Sequence, residues 1–332
     1  MVTATLQPAT AFQLNDLLSI QDLNPYDVDE IFDMARMLKS RPSVFRGALA
    51  GRQFVLMFEK PSLRTRITFE VGISNLGGNS LFMEYGAGGI AAREKVSDIA
   101  QNLERWVDGI VMRTFSHGTV AEMAQYASIP VINGLTDLEH PCQALADFFT
   151  LREKFGELRG LKLAFVGDGN NVAHSLMLTA ACVGSHFSIA TPAGYAPDKR
   201  IVKAAQKLAA RTGAAIEITT DADAAVDNAD AVYTDVWASM GQESEADQRD
   251  AIFRPYQVNS KLMSAAAPHA VFMHCLPAHR NDEVTDSVLD SRQSVVYDQA
   301  ENRLHVQSAV MVLLCSHGSK SPAKLKNRSV HA

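Results

Sequence analysis

Short runs rich in β-branched residues alternate with longer helical patterns through most of the 332-residue chain. The runs predict strands, and the longer patterns predict helices, because each element repeats its apolar positions with its own period. Strands are predicted at 53–58, 79–83, 109–113, 130–132, 161–167, 187–191, 216–219, 231–236, 270–275 and 294–297. Helices are predicted at 26–39, 62–76, 95–106, 119–127, 141–155, 171–183, 198–211 and 299–314. This alternation predicts an α/β fold of parallel sheets covered by helices.

The natural domain boundary is the segment from His140 to Gly160. Pro141 suits the first position of a helix, and two glycines, Gly156 and Gly160, bracket its end before the next strand. We therefore predict a helix at 141–155 that connects two domains, each a parallel sheet flanked by helices.

The predicted units are a first domain at 1–140, a second domain at 141–315 and a tail at 316–332. The last helix, 299–314, is a candidate to pack back on the first domain, so that more than one helix joins the two. The tail has four Lys or Arg residues, no acid and little apolar content, and we expect it to be flexible.

Composition excludes several classes of protein. Apolar residues make up 47% and charged residues 20%, as in a well-packed globule, and the net charge of −6 gives no support to nucleic-acid binding by a basic surface. The four cysteines are scattered and form no CxxC pair, which fits reduced thiols better than disulfides or a zinc site. No secretory signal and no apolar run of membrane-spanning length is present, so a cytoplasmic location is expected.

A strand is followed by a proline-marked turn and a helix start at 58–66. The first turn of that helix carries two hydroxyls and two guanidiniums, from Ser62, Thr65, Arg64 and Arg66. Helix N-termini attract anions, and these side chains would add strong ligands for a phosphate dianion. The alternative is that Ser62 only caps the helix and that Arg66 pairs with Glu70 on the surface. Because two arginines in the first turn oppose the helix dipole, a bound anion is the better explanation.

The segment Gly167–Val172 follows a predicted strand and is similar to part of a dinucleotide-binding fingerprint. The third glycine of that fingerprint is missing, and no Asp or Glu ends the next strand, where a ribose partner belongs. The glycines therefore indicate a tight turn, which leaves Asn170 and Asn171 to bind a polar group at a helix start.

Two further strand ends carry a carboxylate and a thiol. Asp235 is followed by the loop Ser239-Met240-Gly241. The Asp235 carboxylate would suit the ammonium group of an amino acid, and the backbone groups of the loop would suit its carboxylate. Cys275 lies beside His274 at the edge where parallel sheets bind ligands. The alternatives are that Asp235 only caps the next turn and that Cys275 fills the core.

Three basic side chains are further candidates. Arg113 ends a strand, where an inward-facing cation needs an anionic partner. His140 and Gln143 surround a helix start, although His140 could simply cap that helix. Arg303 lies in the last predicted helix and could instead pair with Glu301 or another surface acid.

Taken together, these segments resemble the aspartate/ornithine carbamoyltransferase family, from about residue 12 to residue 315. Three motifs recur in the order of the family: Ser62-Leu63-Arg64-Thr65-Arg66, His140-Pro141-Cys142-Gln143 and His274-Cys275-Leu276-Pro277. The third motif, the Gly-Asp-Gly-Asn-Asn segment and Asp-Val-Trp-Ala-Ser-Met-Gly are similar to the members that use ornithine as the carbamoyl acceptor.

The resemblance implies two sets of substrate-binding residues. Those for carbamoyl phosphate are Ser62, Leu63, Arg64, Thr65, Arg113, His140, Gln143, Cys275, Leu276 and Arg303. Those for ornithine are Asn171, Asp235, Ser239 and Met240. The catalytic residues it implies are Arg113, His140, Cys275 and Arg303.

The implied reaction is attack of the δ-amine of ornithine on the carbamoyl carbon, which yields citrulline and phosphate in arginine biosynthesis. Arg113, His140 and Thr65 are candidate donors to the developing oxyanion. The reaction needs no metal and no other cofactor. The resemblance also implies a homotrimer or an assembly of trimers, and neither a nucleic acid nor a membrane as partner.

The chain departs from the family pattern at three places, one of which is Asp98-Ile99-Ala100-Gln101 where relatives usually have Asp-Thr-Ala-Arg. Leu63 stands where relatives often have Thr, a change that a backbone contact would survive. The glycine-rich segment 86–95 stands where relatives have a loop that can reach the neighbouring subunit, and Arg93 is its candidate contact.

Other functions remain as alternatives. The nearest is the same fold with another amine acceptor, such as putrescine or an acetylated ornithine. A non-catalytic sensor would be expected to have lost some of Arg64, Arg113, His140 or Asp235, and all four are present. The remaining alternative is a nucleotide-dependent dehydrogenase.

Overall fold

The structure, a computed structural model, describes residues 12, 14–86, 88–238 and 245–316. Its strands are β1 (Gln53–Phe58), β2 (Asn79–Glu84), β3 (Gly109–Arg113), β4 (Val131–Leu135), β5 (Lys162–Val166), β6 (His186–Ala190), β7 (Ile216–Thr219), β8 (Ala231–Thr234) and β9 (Val271–His274). Its longer helices are α1 (Pro25–Ser40), α2 (Leu63–Asn75), α3 (Val96–Leu103), α4 (His117–Tyr126), α5 (Pro141–Phe155), α6 (Asn171–Val183), α7 (Lys199–Thr212), α9 (Ala246–Phe253) and α12 (Val296–Ser316). The short helices are α8 (Ala222–Val226), α10 (Ser260–Met263) and α11 (Asp286–Leu289).

The strands form two sheets in which every neighbouring pair is parallel. The first sheet has the order β2-β1-β3-β4, and the second has the order β7-β6-β5-β8-β9. In each sheet the order reverses once, between β1 and β3 and between β5 and β8. Such reversal points open a crevice at the carboxyl ends of the strands, where ligands bind in α/β proteins. The predicted fold class is confirmed.

Apolar side chains cover both faces of each sheet. One core cluster extends from the first sheet to the second and includes residues of α1, α2, α5, α6 and α12. A second cluster lies under α3 and α4 on the other face of the first sheet, and a third lies under α8, α10 and α11 on the other face of the second. Strands buried on both faces read as near-continuous apolar runs, which is why they were recognisable in the sequence.

The last helix packs against α1, α2 and α5, so the end of the described chain returns to the first sheet. The approach to α2 is close, because a Cβ built on Gly72 would lie 2.8 Å from Ser308 Oγ. A side chain at Gly72 would therefore require Ser308 to move. This close contact lets residues of α12 reach the start of α2.

One predicted strand is wrong. Ser294 makes only an isolated bridge to Phe272, and Val296 begins α12, so 294–297 is not a strand. Val295 and Val296 are buried in the core, and burial accounts for their apolar character without a sheet. The other predicted strands are present. The largest difference among them is that β4 continues to Leu135.

No helix within the described part of the chain is long and apolar enough to cross a membrane.

Candidate functional site

The first turn of α2 follows β1 at the reversal point of the first sheet. Ser62 is the N-cap, and its Oγ accepts a hydrogen bond from Thr65 N at 3.3 Å. Thr65 is buried, whereas Leu63 is 69% exposed, so the Leu63 side chain has no place in an enclosed site. The contribution of Leu63 would have to come from its backbone.

The two arginines of this turn have different surroundings. Arg66 donates to Glu70 Oε1 at 3.1 Å, and its guanidinium lies 3.7 Å from the centre of the Phe82 ring. Arg64 has no acidic partner among the residues that the structure describes. Burial lowers the pKa of Arg64. The surface-pair interpretation is therefore confirmed for Arg66, and Arg64 is the arginine of this turn that is free to bind an anion.

Arg113, Arg303 and His140 form a buried cluster beside this turn, and the two guanidiniums make it positive. Burial, together with repulsion from Arg303, lowers the pKa of Arg113 to about 10. Burial and the charges of the two arginines hold the pKa of His140 well below its usual range, so this imidazole is neutral at neutral pH. No described residue accepts a hydrogen bond from the Arg113 guanidinium, and Arg113 Nε and His140 Nδ1 are buried without partners. Such a cluster is suited to an anionic ligand.

Arg303 joins three elements in this cluster. Its Nη2 donates to Thr65 Oγ1 at 3.0 Å on α2, and its Nη1 donates to Gln143 Oε1 on α5. The side chain is buried, so the alternative that Arg303 pairs with a surface acid is wrong. Glu301 pairs with Lys39 instead, with 3.5 Å between Glu301 Oε2 and Lys39 Nζ.

Asp235 and Cys275 meet at the carboxyl edge of the second sheet. The thiol of Cys275 donates to Asp235 Oδ1 at 3.0 Å, and Asn170 Nδ2 donates to Asp235 Oδ2 at 2.8 Å. Burial, and then the charge of Asp235, raises the pKa of Cys275 well above its usual range. Cys275 is therefore a protonated hydrogen-bond donor in this structure and not a thiolate nucleophile.

Asn171, at the start of α6, contacts the segment that follows β4 of the first sheet. Its Nδ2 donates to the carbonyl oxygen of Thr136 at 2.5 Å, whereas Asn170 caps α6 and binds Asp235. Both asparagines are candidates from the sequence, whereas the resemblance implied a role for Asn171 alone. The structure places Asn170 beside Asp235 as well, at the N-cap of α6.

The glycines of the 167–172 segment are explained by packing. A Cβ on Gly169 would lie 2.3 Å from the backbone nitrogen of Pro197, and Gly167 has a φ of +144°. The tight-turn interpretation is therefore sufficient, and the glycines need no nucleotide to account for them.

His274 fixes the backbone after Cys275. Its Nδ1 accepts from Leu276 N at 2.8 Å, and its Nε2 lies 3.1 Å from Glu283 Oε1. Leu276 adopts a φ of +58°, and the Leu276–Pro277 peptide is cis. Ligand atoms of Asp235, His274 and Cys275 lie within 4.8 Å of one another. Both ring nitrogens of His274 are already engaged, however, so this imidazole offers no free lone pair to an ion.

Ser239 and Met240, predicted to bind ornithine, lie outside the described residues. On either side of them, Arg249 Nε donates to the carbonyl oxygen of Trp237, and the same guanidinium binds Asp168. Burial raises the pKa of Asp168 to about 6, although Arg249 opposes the change. This buried ion pair joins the segment after β8 to the segment after β5.

Comparison with known proteins gives a match over nearly the whole chain. The model of the aspartate/ornithine carbamoyltransferase carbamoyl-P binding domain matches residues 15–153, and that of the Asp/Orn binding domain matches residues 159–314. A protein of Symbiobacterium thermophilum named ornithine carbamoyltransferase is 51% identical over 307 residues, which are 92% of this chain and 99% of that protein.

Solved structures agree with this match. The ornithine carbamoyltransferase of Pyrococcus furiosus is 48% identical, with a TM-score of 0.88 over 93% of this chain and 99% of that one. A relative from the same organism is named ornithine carbamoyltransferase, anabolic, and is 48% identical over 90% of this chain and 96% of its own length. An acetylornithine transcarbamylase complexed with acetylcitrulline is 31% identical, with a TM-score of 0.82 over 91% of this chain and 99% of that one.

Proposed function

The chain belongs to the aspartate/ornithine carbamoyltransferase family, and we infer that it transfers the carbamoyl group of carbamoyl phosphate to the δ-amine of L-ornithine. The products are L-citrulline and phosphate, in the direction of arginine biosynthesis. The relatives named for ornithine range from 33% to 51% identity with this chain, and the acetylornithine enzyme shares 31%.

The observation that carries this function is the buried positive cluster. Arg113 and Arg303 are both buried, they repel each other, and no described acid binds Arg113. Carbamoyl phosphate would supply the missing negative charge. Its phosphate would bind Ser62, Arg64 and the backbone N–H groups of the α2 start, with the carbamoyl group toward His140 and Gln143.

The two substrates would occupy different halves of the molecule. We assign residues 1–140 to carbamoyl phosphate and residues 141–315 to ornithine. The two family models support such a division, since one ends at residue 153 and the other begins at residue 159. Helix α12 belongs to the second unit in sequence but contributes Arg303 to the carbamoyl phosphate site.

Asp235 is the proposed anchor of the ornithine ammonium group. A carboxylate has about four lone-pair positions, and three are occupied by Cys275, Asn170 and Val236 N. One position remains for an ammonium N–H. Asn171, Ser239 and Met240 are proposed to hold the α-amino and carboxylate groups with it.

The chemistry is nucleophilic addition followed by loss of phosphate. The lone pair of the deprotonated δ-nitrogen forms the new C–N bond, and the carbamoyl oxygen gains negative charge. Arg113, His140 and Thr65 are placed as donors to that oxygen. The C–O bond to phosphate then breaks, and phosphate leaves with the electron pair toward Arg64 and the α2 start. It takes up the proton that the attacking nitrogen loses, so the products are citrulline with a neutral side chain and hydrogen phosphate. Cys275 and Leu276 would line the side-chain end of ornithine, and the thiol of Cys275 would hold the Asp235 carboxylate in place.

We propose that the protein is a homotrimer in the cytoplasm. The edge strand β2 and the turn after α3 expose a groove of about 850 Å³, and its apolar side chains include Leu81 (58% exposed), Met83 (44%) and Trp106 (68%). Exposed apolar patches of this kind mark interfaces, and Arg93 lies on the same rim. A native mass of three 36.1 kDa chains would support the trimer, and a monomer would contradict it.

The proposed cytoplasmic location is supported by the four cysteines, which are all free thiols. Free thiols persist in a reducing compartment such as the cytoplasm.

The activity is tested by offering carbamoyl phosphate with ornithine, N-acetylornithine or putrescine and measuring each carbamoylated product under steady-state conditions. We expect the highest kcat/KM for ornithine, because N-acetylornithine lacks the free α-ammonium group proposed to bind Asp235 and putrescine lacks the α-carboxylate proposed to bind beside it. A higher kcat/KM for either other amine would contradict the proposed acceptor. A thermal-shift response to NAD(P) with none to carbamoyl phosphate would contradict the reaction class.

A further inference from the structure

Asp147 is a fully buried carboxylate one helical turn after Gln143 on α5. Its Oδ1 accepts hydrogen bonds from Gln143 Nε2 and Gln299 Nε2, each at 2.8 Å. Its Oδ2 accepts from the hydroxyl of Tyr233 at 3.0 Å. Donors from α5, β8 and α12 therefore converge on one carboxylate that does not itself face the cleft.

These bonds determine how the Gln143 amide is turned. Because Nε2 is held by Asp147, Oε1 faces the Arg303 guanidinium and accepts from Nη1. A carbonyl oxygen has two lone pairs, so one remains available on Oε1. With the amide turned by 180°, its NH2 group would meet the Arg303 donors, and the acceptor would be lost to the site.

We propose that Asp147 is a positioning residue that makes Gln143 an acceptor for the N–H of the carbamoyl group, and so sets the preference of the donor site for carbamoyl phosphate over an acyl phosphate that lacks this N–H. The inference rests on the proposed carbamoyl transfer and deepens it. A site built to hydrogen-bond a substrate N–H rejects the analogue without it, because the acceptor is then left unpaired.

Charge is the competing explanation for Asp147. The charged and titratable groups that interact with it are Arg303, Tyr233 and Cys275, and its carboxylate could act only as a counterion to Arg303. Asp147→Asn separates the two roles. The amide oxygen of Asn can take the place of Oδ1 and accept from both glutamines, while the negative charge is removed.

The experiment uses the full chain and compares wild type with Asp147→Leu and Asp147→Asn. Dissociation constants are measured by calorimetry for carbamoyl phosphate, acetyl phosphate and inorganic phosphate. Asp147→Leu is expected to weaken carbamoyl phosphate binding by about tenfold or more and to leave the other two within about threefold. Asp147→Asn is expected to keep most of the preference. The matched control is Tyr233→Phe, which removes a different Asp147 partner and should keep the wild-type preference.

Each outcome bears on the proposal. Equal weakening of all three ligands in Asp147→Leu would mean a general structural role and would overturn it, as would an unchanged preference. If Asp147→Leu does not fold, Asp147→Asn still tests the proposal, because loss of the preference in that variant would show that charge and not orientation matters. Failure of the wild type to form citrulline would contradict the proposed function itself, whatever the variants bind.

Discussion

Arg303 Nη2 donates a hydrogen bond to Thr65 Oγ1 over 3.0 Å, between residues 238 positions apart. The contact places a guanidinium of the last helix at the first turn of α2, where the proposed phosphate site begins. It depends on the close approach of α12 to α2 at Gly72. The donor site is therefore completed by the end of the chain, and the folding of both units is needed to build it.

Arg303→Met should lower kcat/KM for carbamoyl phosphate by about 10²- to 10³-fold, because it removes a buried cation and the hydrogen bonds that hold Gln143 and Thr65, a proposed oxyanion donor. Arg303→Lys keeps the charge but loses the fork that reaches Thr65 and Gln143 together, and we expect an intermediate loss. Steady-state kinetics at saturating ornithine measures both. Full activity in Arg303→Met would exclude Arg303 from the reaction.

The two arginines of the α2 turn should differ in function. Arg64→Ala should weaken carbamoyl phosphate binding by about 10²-fold or more, because a charge-assisted contact to phosphate is lost. Arg66→Ala is the matched control, since Arg66 already pairs with Glu70 on the surface, and it should stay within about threefold of wild type. Calorimetric titration compares them. Equal effects of the two substitutions would contradict the assignment of the phosphate to Arg64.

Cys275 should affect ornithine more than carbamoyl phosphate. Cys275→Ala removes the donor to Asp235 and should raise the KM for ornithine by about tenfold, whereas Cys275→Ser keeps a donor and should be milder. Cys315→Ala removes a cysteine near the end of α12 and serves as the control. An ornithine KM and a pH profile that are unchanged in Cys275→Ala would remove Cys275 from the mechanism.

The fold class and several candidate site residues could be predicted from the sequence, and the reason is physical. Parallel strands end at one edge, and polar groups tolerated there stand out after apolar runs, so Arg113, Asp235 and Cys275 could be identified as candidates. Periodicity carries no information on which strands are neighbours. The reversal points that bring these ends together were therefore not predictable from it.

Long-range packing explains most of what was missed. The surface-acid alternative for Arg303 failed because burial of one face of α12 depends on a helix far away in sequence. Asp147 was overlooked, although a carboxylate in a helix whose residues from Pro141 to Leu151 are all buried is itself a signal. The false strand at 294–297 arose because a buried helix start and a buried strand share the same apolar composition.

Glu139, which precedes His140, should make stability depend on pH. This buried carboxyl accepts from Ser19 Oγ, from Ile20 N at 3.1 Å and from Ser175 Oγ at 3.2 Å. Burial raises its pKa from 4.5 to about 7, although these hydrogen bonds oppose the change. Below the unfolded pKa both states hold the proton. As pH rises to about 7, the unfolded state releases it first, so the free energy of unfolding falls by about 3 kcal/mol.

Urea unfolding at about pH 5 and about pH 8 tests this effect, with Glu139→Gln as the variant that cannot ionise. The wild type should lose more stability between the two pH values than Glu139→Gln does. The difference between the two chains isolates Glu139 from Asp147 and Asp168, whose pKa values are also raised. The same loss in both chains would show that Glu139 does not titrate differently in the folded state.

The reaction is tested most directly by following the bond that it forms. Carbamoyl phosphate labelled with ¹³C and ornithine labelled with ¹⁵N at the δ-position are incubated with the protein and observed by NMR. We expect L-citrulline in which the labelled carbon is coupled to the labelled nitrogen, together with one phosphate per product. Labelled ornithine and carbamoyl phosphate that remain uncoupled, with no citrulline above the uncatalysed background, would contradict the proposed carbamoyl transfer.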